Sequence, residues 1–458
     1  MSSRGIFIGV GIGLIALCAC ALAVIVGAGA VAYYSRDGLA RRQTATATRD
    51  PALTPQPAPT PGPTQIAQMD AIAAEVITLR GLQPAGVVER KFLSVDEVRQ
   101  RTLEDFQEDM TPEEWENDRH TLAALGLIHP DLDLYNLLLR LYSESVLGFY
   151  DPDTKELVVV SQAGQLNAFE QVTFAHEYNH ALQDQNYDVR RMGFSEEGWE
   201  TDSEKAAAVQ ALLEGDSYLL DEQYQTTLTP AQRREYAEIE NSFDVSIYRE
   251  LPDYLLQDFF FPIEHGLNFV RRYYDEGGWA RVDEVWRDPP VSTEQILHPE
   301  RYEAGDRPLV VARPALTDTL GAGWQQIDSG VMGEWYTYLI LAYGDKRAAR
   351  LGTRAAYEAA EGWGGDGYVV HYNRATRQTI LAIEWRWDTA EDADQFAQAF
   401  DEYAGRRFSR AQRAGDRTCW TDDMLNCLFT ADQSTLWLMA PNQATIEAVL
   451  SQYPDFEK

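Results

Sequence analysis

Residues 172–182 read V-T-F-A-H-E-Y-N-H-A-L, and the spacing of their chemistry-bearing side chains is that of a metal-dependent hydrolase. On a helix, positions i and i+4 share a face, so His176 and His180 would aim two imidazoles at one ion. Glu177, one residue round, would serve as general base toward water at that ion. With seven histidines in 458 residues, chance would produce an H-E-x-x-H run in roughly one such chain in a hundred. The bland alternative is a helix with two hydrogen-bonded core histidines. A catalytic Zn²⁺, one per chain, takes three protein ligands and keeps a fourth position open, so a third ligand must come from elsewhere.

One common solution places that ligand in a G-x-x-H continuation, but Gln183 and Asn186 stand where its glycine and histidine would be. The other is a glutamate on a second helix. Residues 201–220 offer Glu214, with Ala207, Ala211 and Gly215 making a small-residue face that would let two helices approach closely. Glu204 is the fallback, although Thr201 with Glu204 reads as a capping box. Asp184, at i+4 from His180, would orient that imidazole as an outer carboxylate, or else is a solvated helix-end aspartate. A developing oxyanion needs a further donor, for which Tyr218, His265 and His298 are the candidates.

H-E-x-x-H followed by a helical glutamate resembles the gluzincin group of zinc metallopeptidases. The strings H-E-Y-N-H-A-L-Q-D-Q (176–185), A-L-L-E-G-D (211–216) and S-T-E-Q-I-L-H-P-E-R-Y (292–302) resemble a set of little-characterised bacterial metallopeptidase sequences, over roughly residues 140–400. The resemblance implies that His176, His180 and Glu214 bind zinc and that Glu177 is the general base. It departs from the thermolysin-like N-E-x-x-S-D pattern, because Tyr218 stands where the aspartate four residues after the glutamate would be. The outer ligand on that side is therefore open.

These residues need elements to hold them. Residues 148–161, G-F-Y-D-P-D-T-K-E-L-V-V-V-S, read as a hairpin turning at Asp151–Lys155, with Leu157–Val160 a continuous apolar strand. In a zincin arrangement that strand borders the cleft at the sheet edge, where an extended peptide could add by backbone pairing. Ser94 with Glu97, and Thr111 with Glu114 behind Pro112, start two helices upstream. Beyond Pro289-Pro290, helical patterns over roughly 330–361 lead to G-W-G-G-D-G (362–367), read as a tight turn. Strands Tyr368–Tyr372 and Ile380–Trp387 follow, then a helix starting at Thr389 with Asp392. Cys419 and Cys427 flank a hairpin and could pair as a disulfide in an oxidising compartment.

Residues 6–34 carry no charge and exceed the length that spans a bilayer, which predicts an uncleaved transmembrane signal anchor. Gly9 and Gly13 form a G-x-x-x-G pattern that would pair two copies weakly. Residues 35–64 continue into a Pro/Thr/Ala tether. Taking the two acids and five bases of residues 1–64 from the totals leaves 70 acids and 34 bases, a balance of −36 that would repel nucleic acid.

The expectation is an α+β chain: a short segment 1–5, the anchor 6–34, the tether 35–64, a zincin-like domain 65–300 with its active-site helix and a mixed sheet, and a C-terminal α+β module 301–458. Its expected role is that of a membrane-anchored zinc metallopeptidase facing the outside of a bacterial cytoplasmic membrane and acting on peptides or proteins. The alternatives are a non-catalytic surface binding or scaffold protein that keeps the fold, and a closed structural zinc site.

Overall fold

The computed structural model describes residues 60–456 apart from 145–147, 161–163, 244 and 415–416; the expected anchor and nearly all of the tether lie outside the described residues. No described helix is long and apolar enough to cross a membrane. The chain is a mixed α+β protein.

The first part is helical around a small sheet. Helix α1 (Pro63–Arg80) leads to β1 (Glu89–Leu93), α2 (Val95–Asp109), α3 (Pro112–Leu125) and α4 (Leu134–Glu144). The expected capping boxes at Ser94/Glu97 and Thr111/Glu114 both form, and each satisfies backbone donors that the helix itself cannot. Strands β2 (Gly148–Asp151) and β3 (Glu156–Val160) make the expected hairpin, and the sheet order is β1-β3-β2. Strand β3 pairs parallel with β1 and antiparallel with β2. Its continuous apolar run is what a strand needs when both edges are paired and both faces covered. The sheet edge beside the metal-motif helix is therefore β2, not the Leu157–Val160 strand expected there.

Helix α5 (Ala168–Tyr187) carries the H-E-x-x-H run and is buried from Phe169 to Asp184 save at Glu170. A helix buried all round must find a partner for each polar group it carries, because unpaired polar atoms in the interior cost free energy. Helix α6 (Ser203–Thr227) crosses α5, and its other face lies along α7 (Asp253–Arg287). The sequence explains the close approach: a Cβ on Gly215 would overlap the Gly266 carbonyl, and one on Gly266 would overlap the Ala211 carbonyl. Helix α7 breaks at Gly277-Gly278, where Gly278 takes φ 66°.

The C-terminal part is a seven-stranded antiparallel sheet. Its strands are β4 (Trp324–Gly330), β5 (Trp363–Asn373), β6 (Gln378–Trp387), β7 (Ser409–Ala414), β8 (Arg417–Thr421), β9 (Leu425–Ala431) and β10 (Ser434–Ala440). They are ordered β4-β5-β6-β10-β9-β8-β7. Helix α8 (Gly333–Tyr343) and helix α9 (Ala390–Arg407, capped by Thr389 with Asp392 as expected) pack against it. G-W-G-G-D-G is a turn only at Gly362, φ 82°. It opens β5, and its glycines leave room for an extended segment alongside: Leu309 N–H donates to Gly364 O at 2.7 Å, and a Cβ on Gly365 would overlap the Leu309 carbonyl. Cys419 and Cys427 face each other across β8 and β9 and are bonded. One apolar core runs from Val98 through Ala211 and Trp286 to Trp385 and Met439, and helix α3 packs on β4 and β6, so the two parts share their interior.

Candidate metal centre

Helices α5 and α6 bring His176, His180 and Glu214 together, with one ligand atom from each lying within 4.8 Å of the others. The two imidazole Nε2 atoms are 3.0 Å apart. Glu214 Oε2 lies 3.4 Å from His176 Nε2, and its Oε1 lies 3.7 Å from His180 Nε2. All three residues are buried, and Glu214 Oε2 accepts no conventional hydrogen bond among the described residues. Three electron-pair donors thus converge in the interior, an arrangement that only a cation, metal or proton, can satisfy.

The outer contacts fix both rings. His176 Nδ1 lies 2.8 Å from Asp221 Oδ2, and His180 Nδ1 lies 2.8 Å from Gln183 Oε1. Gln183 is held in turn by donating to the Leu213 carbonyl at 3.1 Å and to Ser217 Oγ at 3.3 Å. Both acceptors call for a proton on Nδ1, so that in its neutral form each ring would present its Nε2 lone pair to the centre, the tautomer a metal requires. Burial pulls the His176 pKa down, but the Asp221 and Glu214 carboxylates outweigh it and hold the group well above its ordinary value. His180 is drawn by burial to about 4, against the pull of Glu214.

The next residue of α5 turns toward the sheet edge: Glu177 Oε2 accepts the Tyr150 backbone N–H of β2 at 2.8 Å. Tyr218 sits edge-on to His176 with ring centroids 5.1 Å apart, beside the centre. His265 packs against the rings of Phe261 and Trp335, and burial lowers its pKa to about 4. His298 pairs with Glu334 through Nε2 at 2.8 Å. Those contacts place both histidines in the packing of α7 and α8 and engage neither with the three converging ligands.

Two further expectations are corrected. Asp184 does not orient His180; it accepts the Tyr150 hydroxyl at 2.7 Å and Lys155 Nζ at 2.5 Å, while the residue before it, Gln183, meets the ring. Glu204 does not cap its own helix and is not among the converging ligands. Asp202 is the N-cap of α6, accepting from Lys205 N, and Glu204 is buried where it accepts the Thr293 N–H at 2.8 Å. That contact ties the 292–302 string to the ligand-bearing helix.

Asp221, which backs His176, is not marked by the H-E-x-x-H spacing: it lies seven residues after Glu214, two helical turns on along the same face. Behind the ligands, Asp216 takes Arg80 Nη2 at 2.8 Å, Asn179 Nδ2 at 3.0 Å and Trp286 Nε1 at 2.8 Å, locking α1, α5, α6 and α7 to one another.

A family model described as "Domain of unknown function (DUF8575)" matches residues 319–450, which is the seven-stranded sheet and its helices and excludes the ligand-bearing helices. No curated protein and no solved structure matches the chain.

Proposed function

We propose that this chain is a zinc metallopeptidase of the gluzincin type, tethered to a bacterial membrane by residues 6–34, with the described residues on the outer side. The observation that carries the reading is the convergence of His176, His180 and Glu214 with both imidazoles already oriented from behind. The donor set, two imidazole nitrogens and one carboxylate oxygen, is that of catalytic rather than closed structural zinc sites. The longer H-E-Y-N-H-A-L-Q-D-Q resemblance and the presence of Glu177 favour an enzyme over a retained scaffold.

Bound zinc would supply Lewis acidity, polarising a peptide carbonyl and acidifying water. Glu177 provides the base, its carboxylate positioned by the Tyr150 N–H so that it takes a proton from the attacking water and returns it to the leaving amine. Tyr218, beside His176, is the best placed of the three candidates to steady the developing oxyanion. The bonded Cys419–Cys427 pair favours an oxidising compartment, and the Pro/Thr/Ala tether favours a surface protein. Detergent extraction tests the anchor: the full-length chain should resist a high-salt wash and be released by detergent, and release by salt alone would remove it.

A further inference from the structure

We propose that the edge strand β2 and the turn that follows it (Pro152–Lys155), together with the segment Val189–Phe194, form a two-lipped gate that covers the metal centre and must part to admit a polypeptide; this rests on the peptidase reading above. The converging side chains are almost sealed: His176 is 1% exposed, Glu177 1%, His180 5% and Glu214 1%. Two small spaces among the described residues adjoin them. A cavity of about 60 Å³ adjoins Glu177, and a gap of about 10 Å³ adjoins His180 and Glu214. Ligand sites ordinarily offer about 300–1,000 Å³, so neither space holds a peptide.

Tyr150 and Pro152 from the hairpin, and Val189 and Phe194 from the opposite segment, line the gap at His180 and Glu214. Polar ties hold the hairpin down. Asp184 on α5 accepts both the Tyr150 hydroxyl and Lys155 Nζ, Arg101 Nη2 pairs with Asp151 at 2.7 Å, and Arg190 on the opposite lip pairs with Asp153. Arg190, Asp153 and Lys155 are half exposed, so the ties of Arg190 and Lys155 form at the water's edge, where ion pairs are weak, whereas the Tyr150–Asp184 bond is buried. Lys155, in the turn, and Asp188, which ends α5 just before the opposite lip, both take left-handed φ, at 59° and 55°. Strand β2 also donates the Tyr150 N–H to Glu177, so parting the lips frees the base as it opens the path.

The test uses full-length protein carrying Cys18→Ser and Cys20→Ser, with Asp153→Cys and Arg190→Cys added and joined by a short bis-maleimide. Zinc is loaded first, and its loss to a chelator is followed with no substrate present. Bridging the lips should slow zinc loss at least tenfold and cut cleavage of an unfolded polypeptide to match. The unlatched variant, Lys155→Ala with Arg190→Ala, should lose zinc severalfold faster than the parent. Equal rates of zinc loss in the bridged, unbridged and unlatched proteins would overturn the gate, whether or not they cleave. Rates that change as expected, in proteins that cleave nothing, would uphold the gate and remove the peptidase reading instead.

Discussion

His176 and His180 look equivalent in the sequence, yet the fold treats them differently. One imidazole is backed by a carboxylate, Asp221, and the other by an amide, Gln183. A carboxylate behind the ring raises its basicity as a ligand, whereas an amide fixes orientation alone. Asp221→Asn should therefore keep the fold and weaken zinc binding about 10–100-fold. Gln183→Ala should cost less; competition with a chelator, alongside a thermal melt of the zinc-free protein, measures both. Of this centre, the four residues His176, Glu177, His180 and Glu214 were legible because fixed spacing and a small-residue face mark them. Asp221 and Gln183 were not, since which neighbour reaches a ring depends on how two helices cross. The partner of His298 was not legible either: a histidine in a turn looks available, and only the fold reveals Glu334 opposite it.

Between elements, the decisive contact is the glycine crossing of α6 on α7. Gly215 follows Glu214 directly, so the crossing that seats the helix also sets the ligand's reach. A methyl group there has only backbone to meet, and overpacking of that kind costs about 1–3 kcal/mol. Gly215→Ala should lower stability by that amount in a urea melt and weaken zinc binding as Glu214 shifts. The Arg80–Asp216 pair, both side chains fully buried, binds α1 to the same helix. Arg80→Met would strand the Asp216 charge, for which roughly 3–5 kcal/mol is the usual penalty. Helix starts at Ser94, Thr111 and Thr389 were readable from capping residues, and the β2–β3 turn from its composition, whereas the start of α6 at Asp202 was misplaced to Thr201. The glycine string at 362–367 was not, because close backbone approach and a tight turn demand the same residue.

At the scale of the molecule, several carboxylates are buried with raised pKa values in the shared interior. Burial pushes Glu204 up to about 8, Glu294 to about 9 and Asp328 to about 7. Their folded values exceed their unfolded ones, so the native state holds protons that the unfolded chain has released. The stability they confer is complete below about pH 4 and is lost as pH climbs through 7 to 9. The acidic surface, with a balance of −36 beyond residue 64, repels itself more strongly in the same direction. The melting temperature of the zinc-free protein should fall by on the order of 5 °C between pH 5 and pH 8, and Glu204→Gln should flatten that slope. The overall α+β class was legible from the change of texture after Pro289-Pro290. The shared core was not: nothing in the pattern of α3 says that it lies on a sheet whose first strand begins some two hundred residues later.

The central claim is that His176, His180 and Glu214 hold a zinc ion beside a working base. Its most direct test pairs metal content by mass spectrometry with cleavage of an unbiased peptide library, using the parent chain and its Glu177→Ala variant. One zinc is expected in each protein, with cleavage by the parent and a loss of about 10²–10⁴-fold or more in the variant. Absence of metal from both after zinc loading, or equal cleavage by both, would contradict it.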